Sequence, residues 1–324
     1  MTGKPWRIVA DIGGTNARFG LVDSSTWQLV MSKHYSVADH NLFSQALVHF
    51  LSDVERATGW QPLPESACFA LACPITGGRV KFTNSPWVVD REHTSRVLNG
   101  AQVLLINDFE AVGYAVTQLS EDDWIVANAG TARPDKPIAV LGPGTGLGVC
   151  TVVPVGDSYQ VLAGEGGHVD FAPVDALDIR VLEKLSQAFG RVSIERVLSG
   201  SGIENIYRAL EDDAPGTCLE AADISAAAVA GSDPRAQAAL ALFCRTLGSV
   251  AGNLALTLGA GGGVYIAGGI VPRFIDFFLA SGFIERFFAK GRFETYLSDI
   301  PVRVVVKPDL GLAGAINRLK LDAN

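Results

Sequence analysis

The sequence predicts an α/β protein of two domains, and three observations carry that reading. Apolar strand-like runs alternate with stretches of helical spacing along the whole chain. The chain has 324 residues with 48% hydrophobic content, more than one ordinary domain needs. A pattern of strand, Gly-Thr loop and returning strand occurs twice, at points far apart in the chain.

Ile8 to Asp11 is an apolar strand ending at Gly13-Gly14-Thr15-Asn16. Arg18 to Val22 alternates back, so a hairpin with a polar, Gly-containing loop is expected. Leu42 to Ala57 has helical spacing, and Cys68 to Ala72 and Val103 to Ile106 read as strands. Ile138 to Leu141 is an apolar strand running into Gly142-Pro143-Gly144-Thr145-Gly146-Leu147-Gly148, and Val149 to Val153 returns. Two such hairpins suggest related halves facing each other across a cleft. Leu240, Phe243, Leu247, Val250, Leu254 and Leu258 recur at three- and four-residue steps, one face of a long helix. No charged residue occurs from Thr246 to Pro272, a length that could span a bilayer. Gly259 and Gly261 to Gly263 interrupt it, so a buried helix, a turn and a buried strand are expected instead. Val264 to Ala267 is a strand into Gly268-Gly269, followed by a helix near Phe274 to Leu279. Leu310 to Leu319 carries Gly311 and Gly314 and reads as a helix with a small-residue contact face. The expected domains are residues 1–110 with 309–324, and residues 111–308.

Composition narrows the function. Net charge is −8 and no Lys/Arg cluster exceeds a few residues, so nucleic acid and anionic membrane are poor partners. An anionic substrate would be held locally, by backbone N–H groups or a metal. Cys68, Cys73, Cys150, Cys218 and Cys244 form no C-x-x-C, so neither a disulfide framework nor a zinc finger is indicated. They read as small buried residues of a reducing cytoplasm. MTGKPWRIVADIGG lacks the pattern of an export signal.

The glycine loops are the first chemical signal. A Gly-rich turn points successive N–H groups into one concavity and binds phosphate oxygens without cationic side chains. No Gly-Lys-Ser/Thr occurs, so Walker A is absent. Gly142 and Gly144 fit a Rossmann fingerprint, but its third glycine is replaced by Leu147 and a strand, not a helix, follows. One such loop alone would favour an ordinary hairpin turn, whereas two, each with an exposed Thr, weigh the phosphate reading equally against it. Asp11, beside the first loop, would either bond loop amides or hold a Mg²⁺ ion through water.

GEGGHVDF puts Glu165 and His168 on a Gly-rich loop, where packing does not call for them. SIERVLSGSG places Glu195 at an expected helix start, with Ser193 available as its cap. There Glu195 would complement the helix dipole, and His168 would be a zinc ligand or a solvated loop residue. LLINDFEAVG brings Asp108 to the end of a buried strand, as a helix cap or as a catalytic base.

DIGGTNARFGLVD, LACPITGGRVKFTNSPW, LLINDFEAVG, LGPGTGLG, GEGGH, SIERVLSGSGI and IAGGIVPRF occur in the order seen in bacterial glucokinases. The chain resembles the proteobacterial branch over nearly its whole length. GTNAR, FTN-x-x-W and GEGGH are far more specific than a glycine loop. The related repressor/open-reading-frame/kinase group usually has zinc-binding cysteines after its histidine. After His168 this chain has only Cys218 and Cys244, which argues against zinc and against that group.

The resemblance implies a two-domain actin-like ATPase (ribonuclease H-like) fold with its active site in an interdomain cleft that closes on sugar. It implies ATP-dependent phosphorylation of glucose to glucose 6-phosphate, with Mg²⁺, in a cytoplasmic homodimer. It implies that Asn107, Asp108, Glu165, His168 and Glu195 contact the sugar hydroxyls, with Asn84 nearby. Gly13, Gly14, Thr15 and Asn16 and the loop from Gly142 to Gly148 surround the phosphates. Gly268 and Gly269 lie at the adenosine. The residue chemistry agrees, since carboxylates accept from vicinal hydroxyls while Asn and neutral His both donate and accept. Phosphoryl transfer to an alcohol needs an aligned oxygen and a group to take its proton, a role that fits Asp108. Rivals are another hexose kinase of this fold, a non-catalytic sugar sensor, or an ATPase without a sugar site. A sensor acting as repressor needs a DNA-binding extension, and none is expected ahead of residue 13. The Glu165, His168 and Glu195 set speaks against a sugar-free ATPase.

Overall fold

A computed structural model of the chain describes residues 6–59, 63–82, 85–211 and 219–323. Two compact units emerge, Met1–Leu119 with Pro308–Asn324, and Ser120–Lys307.

The first unit opens with strands β1 (Trp6–Ile12), β2 (Asn16–Asp23) and β3 (Leu29–Ser36), then helix α1 (Phe43–Thr58) and strand β4 (Pro64–Leu71). A small ribbon of β5 (Arg79–Lys81) and β6 (Val88–Asp90) leads to α2 (Arg91–Val97), β7 (Gln102–Asn107) and α3 (Asp108–Val116). The main sheet has the order β3-β2-β1-β4-β7, antiparallel through the first three strands and parallel through the last three. β1 reads as an unbroken apolar run because both faces of this sheet are covered. Ile8, Ala10, Ile12, Phe19 and Leu21 pack with Phe43, Leu47 and Phe50 of α1 on one face. On the other, Val9, Val22, Cys68, Ala70 and Ile106 meet Ala111 of α3 and Leu312, Ala315 and Leu319 near the C-terminus.

The second unit contains β8 (Trp124–Asn128), β9 (Ile138–Pro143), β10 (Leu147–Val155) and β11 (Ser158–Gly164). Helices α4 (Ala176–Phe189), α5 (Gly200–Ala209), α6 (Ala221–Ala230) and α7 (Pro234–Leu258) follow. Then come β12 (Gly263–Ile266), α8 (Ile275–Ala280), α9 (Phe283–Phe288), α10 (Glu294–Ser298) and β13 (Val302–Val305). The sheet order is β11-β10-β9-β12-β13-β8. Its first five strands repeat the arrangement of the first unit: an antiparallel meander, then two parallel strands. The paired glycine hairpins are thus the first hairpins of two sheets with one topology, and β8 is an added antiparallel edge.

The charge-free stretch falls out as helix, turn and strand. α7 begins at Pro234 behind an Asp233 cap and stops at Gly259, whose left-handed backbone (φ 60) only glycine adopts at little cost. Leu240, Phe243 and Leu247 are fully buried, each worth about 1.5–3 kcal/mol on removal from water. α7 is long and apolar enough to cross a membrane, yet it forms the core of this unit, with α9 packed against it. Gly252 permits that approach, since a Cβ there would sit 2.6 Å from the carbonyl oxygen of Phe287.

The last helix, α11 (Leu310–Ala323), returns to the first unit and packs on α3, β1 and β4. A Cβ on Gly314 would run into the carbonyl of Ala111, so glycine lets the two backbones touch. α3 lies wholly within the first unit.

Candidate active site

In the first unit, strand register gathers the expected residues at one edge. Ile12 of β1 pairs with Leu71 of β4, and Leu71 with Asn107 of β7. The Gly13 loop and the Asn107-Asp108 pair therefore both leave the carboxyl ends of parallel strands. They stand two strand spacings apart, about 10 Å. This is the edge where open α/β sheets take ligands.

The first hairpin loop closes through Gly13 N–H donating to the Asn16 carbonyl at 2.9 Å, which leaves Thr15 and Asn16 exposed. A recess of about 390 Å³ opens there, lined by Asp11, Gly13, Thr15, Asn16, Arg18, His34, Asp309 and Leu310. Asp11 faces Arg18 across the hairpin, and Arg18 forms an ion pair with Asp309. Burial raises the Asp11 carboxyl above the usual carboxylate range, with Arg18 opposing. A Cβ on Gly311 would collide with the Asp11 carboxylate, so α11 starts directly against it.

Asn107 caps α3. Its Oδ1 accepts from the backbone N–H of Phe109 at 2.9 Å and of Glu110 at 3.3 Å, and Glu110 accepts from Asn107 N–H in return. Its Nδ2 donates to the Cys73 carbonyl at 3.3 Å. Asp108 is the first residue of the helix, at its positive end, and its Oδ1 also accepts from Phe109 N–H at 2.8 Å. Asn84 lies outside the described residues.

In the second unit, Gly142 and Pro143 end β9, while Leu147 and Gly148 begin β10. The loop proper is Gly144 to Gly146, closed by Gly144 N–H donating to the Gly146 carbonyl at 2.7 Å, with Thr145 exposed. Gly200 N–H, at the start of α5, donates to the Gly144 carbonyl at 2.9 Å. Gly268, in a left-handed backbone (φ 90), lies so near the hairpin base that a Cβ would be 2.6 Å from the Pro143 carbonyl oxygen. Gly269 follows it with open space where a side chain would stand.

Glu165 precedes and His168 ends a single helical turn over Gly166–His168, both exposed, with Nε2 and Oε2 3.9 Å apart. Gly167 allows this turn to sit on the Leu147 carbonyl. Arg191 fixes its far end by donating to the His168 carbonyl at 2.5 Å and pairing with Asp170 at 2.8 Å. Glu195 departs from expectation. It sits in a short turn, Ile194–Arg196, and Ser193 makes no side-chain capping bond there. The following helix α5 is capped by Ser199, which accepts from Gly202 N–H at 3.0 Å. Glu195 instead turns its Oε2 to the glycine hairpin and accepts from Leu147 N–H at 2.9 Å. A Cβ on Gly146 would come within 2.5 Å of the same oxygen.

Each unit thus brings together a glycine hairpin and polar groups able to meet hydroxyls. Among the described residues, no group of three or more His, Cys, Asp or Glu side chains could hold a metal. Sequence reasoning missed Arg18 and Asp309. Arg18 was within reach, because a closed four-residue loop after Ile12 puts it opposite Asp11. Asp309 was not, since nothing local says the C-terminal helix begins at this loop.

The sequence pattern that defines the glucokinase family matches residues 8–321. The chain is 44% identical to the glucokinase of Tolumonas auensis over 310 residues, 95% of each chain. It is 45% identical to that of Cronobacter sakazakii over 312 residues, 96% of this chain and 95% of that one. Its structure is similar to the crystal structure of a glucokinase from an Antarctic psychrotroph, with TM-score 0.85, 38% identity, and coverage of 98% of this chain and 99% of the other. With a two-domain actin-like α/β fold and these relatives, the chain belongs to the glucokinase family, the enzymes that phosphorylate glucose with ATP.

Proposed function

We propose that Asp108 is the general base of this glucose kinase. The supporting observation is that Asn107 already caps α3 through the Phe109 and Glu110 N–H groups, so the bond of Asp108 Oδ1 to the same Phe109 N–H is not the helix's sole cap. As the γ-phosphoryl group of ATP passes to the 6-hydroxyl of glucose, the hydroxyl proton goes to the Asp108 carboxylate. That carboxylate stands at the first residue of α3, at the helix's positive end. Asn107, Glu165 and His168 hold the remaining sugar hydroxyls, with Asn84 beside them. Such a set rejects sugars lacking a hydroxyl, because its own polar groups would be left unpaired. The 13–16 and 144–146 loops present backbone N–H groups to the phosphates. Gly268 and Gly269 leave space for the adenosine.

Glu195 we assign two duties, one carboxylate oxygen to the Leu147 amide and the other to the sugar. Mg²⁺ would enter with ATP and meet Asp11 through water. No three-ligand cluster is gathered among the described residues, so phosphate and water would complete its shell. We place the protein in a reducing cytoplasm, in keeping with an odd cysteine count and no C-x-x-C. We expect a homodimer, which sedimentation equilibrium measures directly.

Asp108→Asn is the decisive variant. It should lower kcat at least about 100-fold with little change in glucose affinity or in thermal midpoint. Near wild-type turnover would remove Asp108 from the mechanism. A large fall in thermal midpoint would mean that its structural role had been underestimated.

A further inference from the structure

The first unit carries an open recess of about 540 Å³ lined by three histidines, His40, His49 and His93, with Ser44 and Gln45 beside them. None of these residues is assigned above to glucose, phosphate, adenosine or Mg²⁺. His40 follows the short turn Val37–Asp39 that leaves β3, and His49 lies on α1. Their rings meet at the surface, with His40 Nε2 and His49 Nδ1 3.1 Å apart. His93 does not join them in a cluster, since no group of three or more His, Cys, Asp or Glu among the described residues could hold a metal.

The pair is held in place from behind. Tyr35 is 8% exposed, and its ring lies 5.7 Å from that of His40 and 5.2 Å from that of His49. Its hydroxyl donates to Asp53 Oδ2 at 2.8 Å, which anchors it. The His40 carbonyl accepts from the buried Trp87 indole N–H at 2.8 Å, which ties down the connection into α1. The Ser36 carbonyl stands 3.5 Å from His40 Nδ1 and can only accept. The ring proton of His40 therefore belongs on Nδ1, and Nε2 keeps its lone pair. Asp53, one turn past His49, is answered by Lys33 at 2.8 Å and Arg56 at 3.0 Å. Ring lone pairs, not net charge, are what this place offers a ligand.

Two nitrogens in neighbouring positions on a zinc-sized ion, each 2.0–2.1 Å from it at 90–109°, are about 2.9–3.4 Å apart. The observed 3.1 Å falls within that span. No carboxylate lines the recess, so Mg²⁺ and Ca²⁺, which take oxygen ligands, find no anionic partner there. Imidazole suits zinc, copper and nickel.

We propose that His40 Nε2 and His49 Nδ1 form a two-nitrogen site for a divalent transition-metal ion of the zinc, copper and nickel class, which takes the place of the proton they share. His49 then carries its ring proton on Nε2, and water completes the shell of the ion.

Cu²⁺ is the probe, because it binds such ligands most tightly of the series and its electron paramagnetic resonance spectrum counts bound nitrogens. It is titrated into untagged, full-length, chelator-stripped protein without glucose or nucleotide, so the outcome does not depend on the sugar assignments. One ion per chain should bind saturably, with splitting from two imidazole nitrogens. His49→Ala should remove one nitrogen from the spectrum and weaken binding at least about 10-fold, the low end of what losing even an outer-sphere partner costs. His49 is exposed on α1 and Ala is the best helix former, so this variant keeps the fold. His40→Ala should behave alike, His168→Ala should bind as the wild type does, and excess Mg²⁺ should not displace the ion. The proposal is overturned by the absence of saturable binding, by a spectrum with fewer than two nitrogens, by a His49→Ala protein that binds as tightly as the wild type, by displacement with Mg²⁺, or by loss of binding in His168→Ala, which would put the ion at the Glu165–His168 turn instead.

Discussion

At Asp11 the protein holds a carboxylate where folding alone would not put one. Burial raises its folded-state pKa above the ordinary 3.8, with Arg18 only partly compensating. The native state then binds a proton more tightly than the unfolded chain. Stability accordingly falls as pH rises from about 3.8 through the folded value, and above it the cost is fully present. Asp11→Asn removes that cost, so its thermal midpoint at neutral pH should exceed that of the wild type. Stabilisation by Mg-ATP should shrink, because the charge offered to the metal is gone. Thermal scans with and without Mg-ATP check both, and a variant with a lower midpoint would contradict the burial argument. Glu195 invites a second test. Gly146→Ala places a methyl group against the oxygen that holds Leu147 N–H. The KM for ATP should rise more than the KM for glucose, because the displaced element is the loop proposed to hold the phosphates. The loop and the carboxylate were both legible one at a time in LGPGTGLG and SIERVLSGSG. Their contact was not, since it joins residues whose spacing carries no periodic signal.

At the scale of elements, the strongest dependence of stability on a single glycine lies where α11 meets α3. Gly314 admits the Ala111 carbonyl. Gly314→Val must push the helices apart, and overpacking of this kind typically costs 1–3 kcal/mol or more. Urea unfolding should show a lower midpoint with an unchanged slope. The small-residue face of α11 was readable from Gly311 and Gly314, as was its helical period. Its partner was readable only from the structure. The hairpins and the long helix α7 were equally plain, because period-two and three-to-four spacings are local consequences of side-chain direction. The short edge strand β8 and its neighbour β13 were not recognised. Their few residues acquire strand geometry by pairing with each other, through Arg303 with Val126 and Val304 with Ile125, rather than by local preference.

For the whole molecule, the repeat of strand order has a folding consequence. The second unit, residues 120–307, is continuous in sequence, whereas the first needs α11 from the chain end to cover Val9, Cys68, Ala70 and Ile106. A fragment of residues 120–307 should unfold cooperatively on its own. Residues 1–119 should remain molten until a peptide of residues 308–324 is supplied. Near-ultraviolet circular dichroism distinguishes the two, and a native-like 1–119 fragment would contradict this account of the core. Glucose should also raise stability, by about 2.7 kcal/mol at one hundred times its Kd, as any ligand specific for the native state must. The fold class, the glycine hairpins and the acidic residues at loop positions were all visible in the linear chain, because each depends on a few neighbouring residues. The alignment of Ile12, Leu71 and Asn107 at one sheet edge, the hold of Glu195 on Leu147 and the pairing of Arg18 with Asp309 had to await the folded chain. These contacts join residues remote in sequence, and register and backbone approach, which set them, arise only when the sheets and helices pack.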